Sequence, residues 1–223
     1  MTTLYKLFRH PAHAHQFLAG DVRFGHLEYY RTRERGAGRG DPTEGRAQHT
    51  EYRPDRTAVR ISAGESREIS SPGVVTVRTE CGNDVFVYCL SRPPDRAAWM
   101  QVRAEFGDVV VAVDAERLLE DVRSALDARD PWQRDACVML WPVEYTKGLE
   151  RARSTPGDRE SGAVRLAVAQ KPPYYAHQHE HRIALISYGT WQELGQPPDF
   201  LIVRVPHPLD YARIVSVSMA TAE

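Results

Sequence analysis

Cysteine is scarce and unpatterned: Cys81, Cys89 and Cys137 are the only three in 223 residues. An odd count without CxxC spacing argues against a disulfide framework and a zinc knuckle, and leaves buried or half-buried thiols as the expectation. No run approaches the ~18 apolar residues of a membrane span. The opening from Met1 to Phe8 is short and is cut off by Arg9-His10-Pro11, which does not make a signal peptide, so a cytoplasmic protein with no membrane partner is expected. Charge of one sign is also missing. The formal net charge is −1, so no whole-molecule field draws in nucleic acid or acidic lipid. GxGxxG, the P-loop, GxSxG and HExxH are absent, which disfavours Rossmann oxidoreductases, NTPases, common serine hydrolases and zincins.

What is present is 42% apolar residues, enough for a core, and a length that fits one domain over residues 1–223. Leu4–Phe8 has strand length. Pro11 stands where a helix accepts it in its first turn, and Ala12–Ala19 reads as a short helix stopped by Gly20. Val22–Tyr30 reads as extended, with Val22, Phe24 and Leu27 inward. Residues 31–60 hold eight arginines and dense glycine, with little apolar periodicity, and read as a long loop insertion. Residues 74–90 read as a hairpin and Val109–Val113 as a buried strand. Asp114 caps a helix carrying Leu118, Leu119, Val122 and Leu126. Val138–Tyr145, His181–Ser187, Phe200–Val205 and Ile214–Val217 are further strands. About eight strands cluster more than they alternate with two or three helices, so the expected class is α+β with a mostly antiparallel sheet core.

The informative segment is Gln178-His179-Glu180-His181-Arg182. On a strand, Gln178, Glu180 and Arg182 share one face at roughly 7 Å steps. Ile183 and Leu185 point to the other. Such a strand can simply be solvent-exposed. The functional alternative makes Glu180 the carboxylate that stabilises a developing cation or accepts a proton, with Gln178 positioning an acceptor and Arg182 holding Glu180 ionised. Cleavage of an N-glycosidic bond needs a carboxylate of this kind, because the departing nicotinamide leaves a cation on the ribose. Arg9, at the end of the first strand, could hold a pyrophosphate. Ser91 could orient a ribose or the carboxylate, and Tyr174 and Tyr175 could stack a nicotinamide ring. Asp41-Pro42-Thr43-Glu44-Gly45 has turn chemistry, and Asp41, Glu44 or Arg46 could touch substrate from a loop.

The order of these pieces resembles the bacterial domain-of-unknown-function family 2971. The residues that carry it are Leu4-Tyr5-Lys6-Leu7-Phe8-Arg9, Gly20-Asp21-Val22-Arg23-Phe24-Gly25, Asp41 to Gly45 and Val87-Tyr88-Cys89-Leu90-Ser91. Trp99 with Phe106-Gly107, Val143-Glu144-Tyr145, and Lys171…Tyr175…Gln178-x-Glu180-x-Arg182 complete it. At a deeper level the scheme is similar to ADP-ribosyltransferases of the Arg–Ser–Glu kind. That resemblance implies an ADP-ribosyltransferase-like fold and NAD as substrate. It implies Arg9, or Lys6 on the same strand, gripping NAD, a supporting Ser91, and Gln178-x-Glu180 as the catalytic element. It further implies a protein or nucleic-acid acceptor, a toxin or anti-phage role, and a possible antitoxin partner. Ser91 stands outside a Ser-Thr-Ser run, since Cys89-Leu90 precede it. Two alternatives stand beside this reading. One is a non-catalytic binding module on the same fold. The other is a metal-dependent hydrolase or nuclease using His177-x-His179-x-His181, with His13-x-His15 as a second donor pair.

Overall fold

The computed structural model of the chain describes residues 2–32, 46–53, 58–61, 67–70, 73–80, 85–127, 137–146, 165, 167–186 and 198–215. The described residues form an α+β structure whose main sheet has eight strands, antiparallel in every pairing. Its path runs β13 (Phe200–Arg204), β2 (Asp21–His26), β7 (Val85–Ser91), β1 (Thr3–Phe8), β8 (Val109–Asp114) and β14 (Ala212–Val215). On the other edge of β7 lies β12 (Glu180–Ile186), which carries β9 (Cys137–Pro142).

The branching of this sheet positions the site. β12 pairs with β7 along its whole length, from Ile186 opposite Val85 to Glu180 opposite Ser91. The other edge of β7 is divided. β2 pairs with it at Phe86 and Val87, and β1 at Ser91. Between these contacts β1 and β2 separate, and the carbonyl of Cys89 accepts from Lys6 Nζ at 2.9 Å instead of from a strand. A buried peptide oxygen needs such a partner.

Helices cover both faces. α1 (Pro11–Leu18) and α4 (Ala115–Asp127) bring Ala14, Phe17, Leu118 and Val122 against Phe86, Tyr88, Leu90, Ile183 and Leu185. Burying each large apolar side chain contributes about 1.5–3 kcal/mol. The opposite face packs Leu27 of α2 (Leu27–Thr32), with Ala167 and Val168, on Val85, Val87, Ala184 and Ile186. Val102 of α3 (Arg96–Phe106) packs on Leu7 and Val110. β12 is thus buried on both faces, not half-exposed.

Several sequence expectations are corrected. α3 carries only Ala98 and Val102 as buried residues, too thin an apolar stripe to announce a helix. Asp95 caps it by accepting from the Ala98 amide at 2.8 Å. Asp114 does cap α4, accepting from Glu116 at 3.2 Å. The expected extended run Val22–Tyr30 turns helical at Leu27. The span read as a loop over 31–60 contains β3 (Arg46–Arg53), while β4 (Ala58–Ile61) lies where the alternation of Val59-Arg60-Ile61 reads as a strand. β3 pairs with β6 (Gly73–Glu80), and β4 with β5 (Arg67–Ser70). β6 is therefore not half of a hairpin with β7.

Gly107 ends α3 at φ +119°, and a Cβ there would stand 2.4 Å from the Phe8 carbonyl oxygen and 2.6 Å from Arg9 Cα. Only glycine lets the end of α3 sit directly on the end of β1. Gly107→Ala is expected to destabilise the fold by about 2 kcal/mol, read as a lowered urea midpoint. An unchanged midpoint would show that this approach is not tight.

Candidate functional site

The sheet opening is filled by a cavity of about 600 Å³. Lys6 reaches it from β1 and Arg9 from the residue just after that strand, Ser91 and Cys89 from β7, Glu180 and Arg182 from β12. Tyr5, Ser91 and Glu180 lie in one row across three strands, because Tyr5 pairs with Ser91 and Ser91 with Glu180. Antiparallel register thus joins residues 5, 91 and 180, which the chain keeps far apart.

The floor is a buried ion cluster. Glu180 is 4% exposed, Arg182 1%, Lys171 6% and Gln178 1%. Glu180 Oε1 accepts from Arg182 Nε at 2.6 Å, and Oε2 from Lys171 Nζ at 2.5 Å. Arg182 Nη1 also donates to the Val168 carbonyl. Lys171 Nζ donates to Gln178 Oε1 at 3.1 Å and lies 5.2 Å from the Tyr175 ring centroid. Burial alone would raise the Glu180 carboxyl, but Arg182 and Lys171 outweigh it and hold the group well below the ordinary carboxylate range. The Glu180 amide donates to the Tyr145 hydroxyl at 2.8 Å, and burial followed by the Glu180 charge pushes that hydroxyl up to about 12. The same two effects push the Cys89 thiol up to about 12, which keeps it protonated and unreactive.

Lys171 reaches the cluster on a short segment. β10 (Glu144–Tyr145) and β11 (Gln170–Lys171) form a two-residue parallel bridge, and the Thr146 amide donates to the Lys171 carbonyl at 3.1 Å. Pro172 and Pro173 then start a 3₁₀ turn over Pro173–Gln178.

That turn corrects the expected alternation. Gln178 closes the 3₁₀ turn and His179 is left-handed at φ +39°, so only Glu180 and Arg182 share a strand face. Gln178 nonetheless meets the cluster from above the strand end, and its amide is bonded at both ends. Nε2 donates to Glu105 Oε2 at 3.0 Å. The three histidines do not form a donor face: His177 Nε2 lies 2.9 Å from Glu105 Oε1, on the 3₁₀ turn. Among the described residues no group of three or more His, Cys, Asp or Glu is placed to hold a metal ion.

Of the other expected site residues, Lys6 and Arg9 both line the cavity. Lys6 also lies 4.3 Å from the Tyr88 ring centroid, and Arg9 Nη2 donates to the Glu105 carbonyl at 3.2 Å. Tyr174 is 69% exposed and Tyr175 is buried, edge-on to it; neither is among the residues lining the cavity. Asp41 and Glu44 lie outside the described residues, and Arg46 opens β3.

Lys171 and Glu105 were not singled out from the sequence as site residues. A signal existed for Lys171: the chain has 26 arginines and three lysines, Lys6, Lys147 and Lys171, and two of them line the cavity. A compact ammonium can contact Glu180 and Gln178 together, where a planar guanidinium fork fits poorly. Glu105 carries no signal, since a helical glutamate is ordinarily solvated.

Replacing Glu180 by Gln leaves two buried cations without their anion, a change that costs about 3–5 kcal/mol. The folded carboxyl lies below its unfolded value of about 4.3, so its contribution is complete above that pH and is lost as pH falls toward the folded value. Urea unfolding should therefore give a gap between wild type and Glu180→Gln that is flat above about pH 5 and narrows in acid. A gap that is absent, or constant from pH 7 down to 3, contradicts the ion cluster. In comparisons with known proteins, no family model, no curated protein and no solved structure matches this chain.

Proposed function

We propose that this chain is an ADP-ribosyltransferase-like enzyme of the family-2971 type, cleaving the nicotinamide–ribose bond of NAD and passing ADP-ribose to a protein or nucleic-acid acceptor. The observation that carries the reading is the meeting of Arg9, Ser91 and Glu180 on one cavity at the parting of two strands.

Two features of the cavity support a nucleotide. Its lining includes five cations, Lys6, Arg9, Arg23, Lys171 and Arg182, against two carboxylates, Asp21 and Glu180. That excess suits phosphate groups. Its walls include the rings of Phe17, Tyr29, Tyr88 and Phe200, which suit flat heterocycles. A volume near 600 Å³ lies within the range of small-molecule sites, roughly 300–1,000 Å³.

In this reading the ribose–nitrogen bond breaks and its electron pair leaves with nicotinamide. The ribosyl cation is captured by the acceptor nucleophile, whose proton passes to solvent. Glu180 contributes fixed negative charge near the cation. Its two cationic neighbours make it a poor proton acceptor, so its role is electrostatic rather than that of a general base. A toxin or anti-phage role with a neutralising partner follows from the resemblance alone.

One observation favours a second reading, a non-catalytic nucleotide-binding module: both oxygens of Glu180 already carry ion pairs. Calorimetry with NAD and assay of free nicotinamide separate the two. The enzymatic reading expects NAD binding weakened about tenfold or more by Arg9→Ala, nicotinamide release abolished in Glu180→Gln, and label from NAD appearing on lysate components. Binding without release supports the second reading. Neither binding nor release sinks both.

A further inference from the structure

We propose that Glu105, at the end of α3, is a positioning residue that fixes Lys171 against Glu180 by holding the Gln178 amide in one orientation; its catalytic readout rests on the ADP-ribosyltransferase reading above. Glu105 Oε2 accepts from Gln178 Nε2 at 3.0 Å, and the other end of that amide, Oε1, accepts from Lys171 Nζ at 3.1 Å. Lys171 Nζ in turn stands 2.5 Å from Glu180 Oε2. The direction of the amide is dictated at both ends. An ammonium has only donors, so it must face the amide oxygen. A carboxylate supplies acceptors, so it must face the nitrogen. Without Glu105 the amide is held at its oxygen end alone, its NH₂ loses its acceptor, and the side chain is free to swing and carry its oxygen away from Lys171.

The same residue ties together both halves of the site. Its side chain holds the 3₁₀ turn twice, through Gln178 and through His177, whose Nε2 lies 2.9 and 3.1 Å from the two carboxylate oxygens. Its backbone carbonyl accepts from Arg9 Nη2 at 3.2 Å. Gly107, two residues on, is what lets this end of α3 press on Phe8 and Arg9. Glu105 is not among the cavity-lining residues, so it acts through its neighbours and not on the ligand.

The test uses the full chain with Glu105→Ala, Glu105→Gln, Gln178→Ala and the double variant Glu105→Ala/Gln178→Ala. Nicotinamide release, NAD affinity by calorimetry and the ¹⁵N resonance of the Lys171 ammonium are measured on each. Positioning predicts kcat lowered roughly 10–100-fold in Glu105→Ala and Gln178→Ala and less in Glu105→Gln, whose amide oxygen still accepts from Gln178, with NAD affinity held within about 2-fold. The double variant is then no slower than the slower single one, because both changes break one linkage. The Lys171 resonance moves in Glu105→Ala but not in Met100→Ala, an exposed residue of the same helix. The proposal is overturned by a Glu105→Ala enzyme of wild-type kcat, by effects that multiply in the double variant, or by an unmoved Lys171 resonance. Should the wild type neither bind nor cleave NAD, the enzymatic reading fails by itself, and the Lys171 resonance alone decides whether Glu105 positions the cluster.

Discussion

The buried carboxylate of Glu180, clamped between Arg182 and Lys171, is the interaction on which the rest of the site depends. Removing an ion from water costs several kcal/mol even after relaxation, and only close, well-directed partners offset that cost. Here the partners arrive from three directions. Arg182 comes from the same strand, two residues on; Lys171 from the short β11 segment; the Tyr145 hydroxyl from β10, on the backbone amide. Residues 144–146 and 167–171 therefore have to dock for the end of β12 to be buried. Misplacing any of them leaves an unpaired charge in a dry setting.

The opening in the sheet follows the same logic of obligatory pairing. β7 offers one edge to two strands that diverge, which strands the Cys89 carbonyl unless something else donates to it. Lys6 does so with its ammonium. The device closes the backbone's hydrogen bonding and at the same time sets a cation in the cavity wall. The cavity is thus a consequence of how the strands branch, with polar groups of the walls already tied into the fold.

A carboxylate held this way is ionised at any physiological pH and cannot rotate freely. Those properties suit a fixed countercharge beside a cationic transition state. They suit equally a recognition site whose charges are preorganised for an anionic ligand. Chemistry and binding differ here by whether Glu180 still has a lone pair directed into the cavity, a matter of orientation that Lys171, Gln178 and Glu105 govern.

Local pattern was enough to read much of this chain. The apolar alternation of β1, the valines of β8, the Asp114 cap with its Leu118–Val122 stripe, and the β-branched run of β6 all express near-neighbour physics. Glu180 and Arg182 stood out because charge at alternate positions beside Ile183 and Leu185 is conspicuous. Pattern failed where the decisive partner is far along the chain. β6 pairs with β3 and not with β7. Gln178 belongs to a 3₁₀ turn that Glu105, on a helix far back along the chain, holds through His177 and Gln178. Sequence by itself determined most of the strands of the main sheet and which residue types are unusual. Tertiary structure alone decided that Lys171 and Glu105 join Glu180, because a buried charge selects its partners by distance in space, and separation along the chain carries no information about that distance.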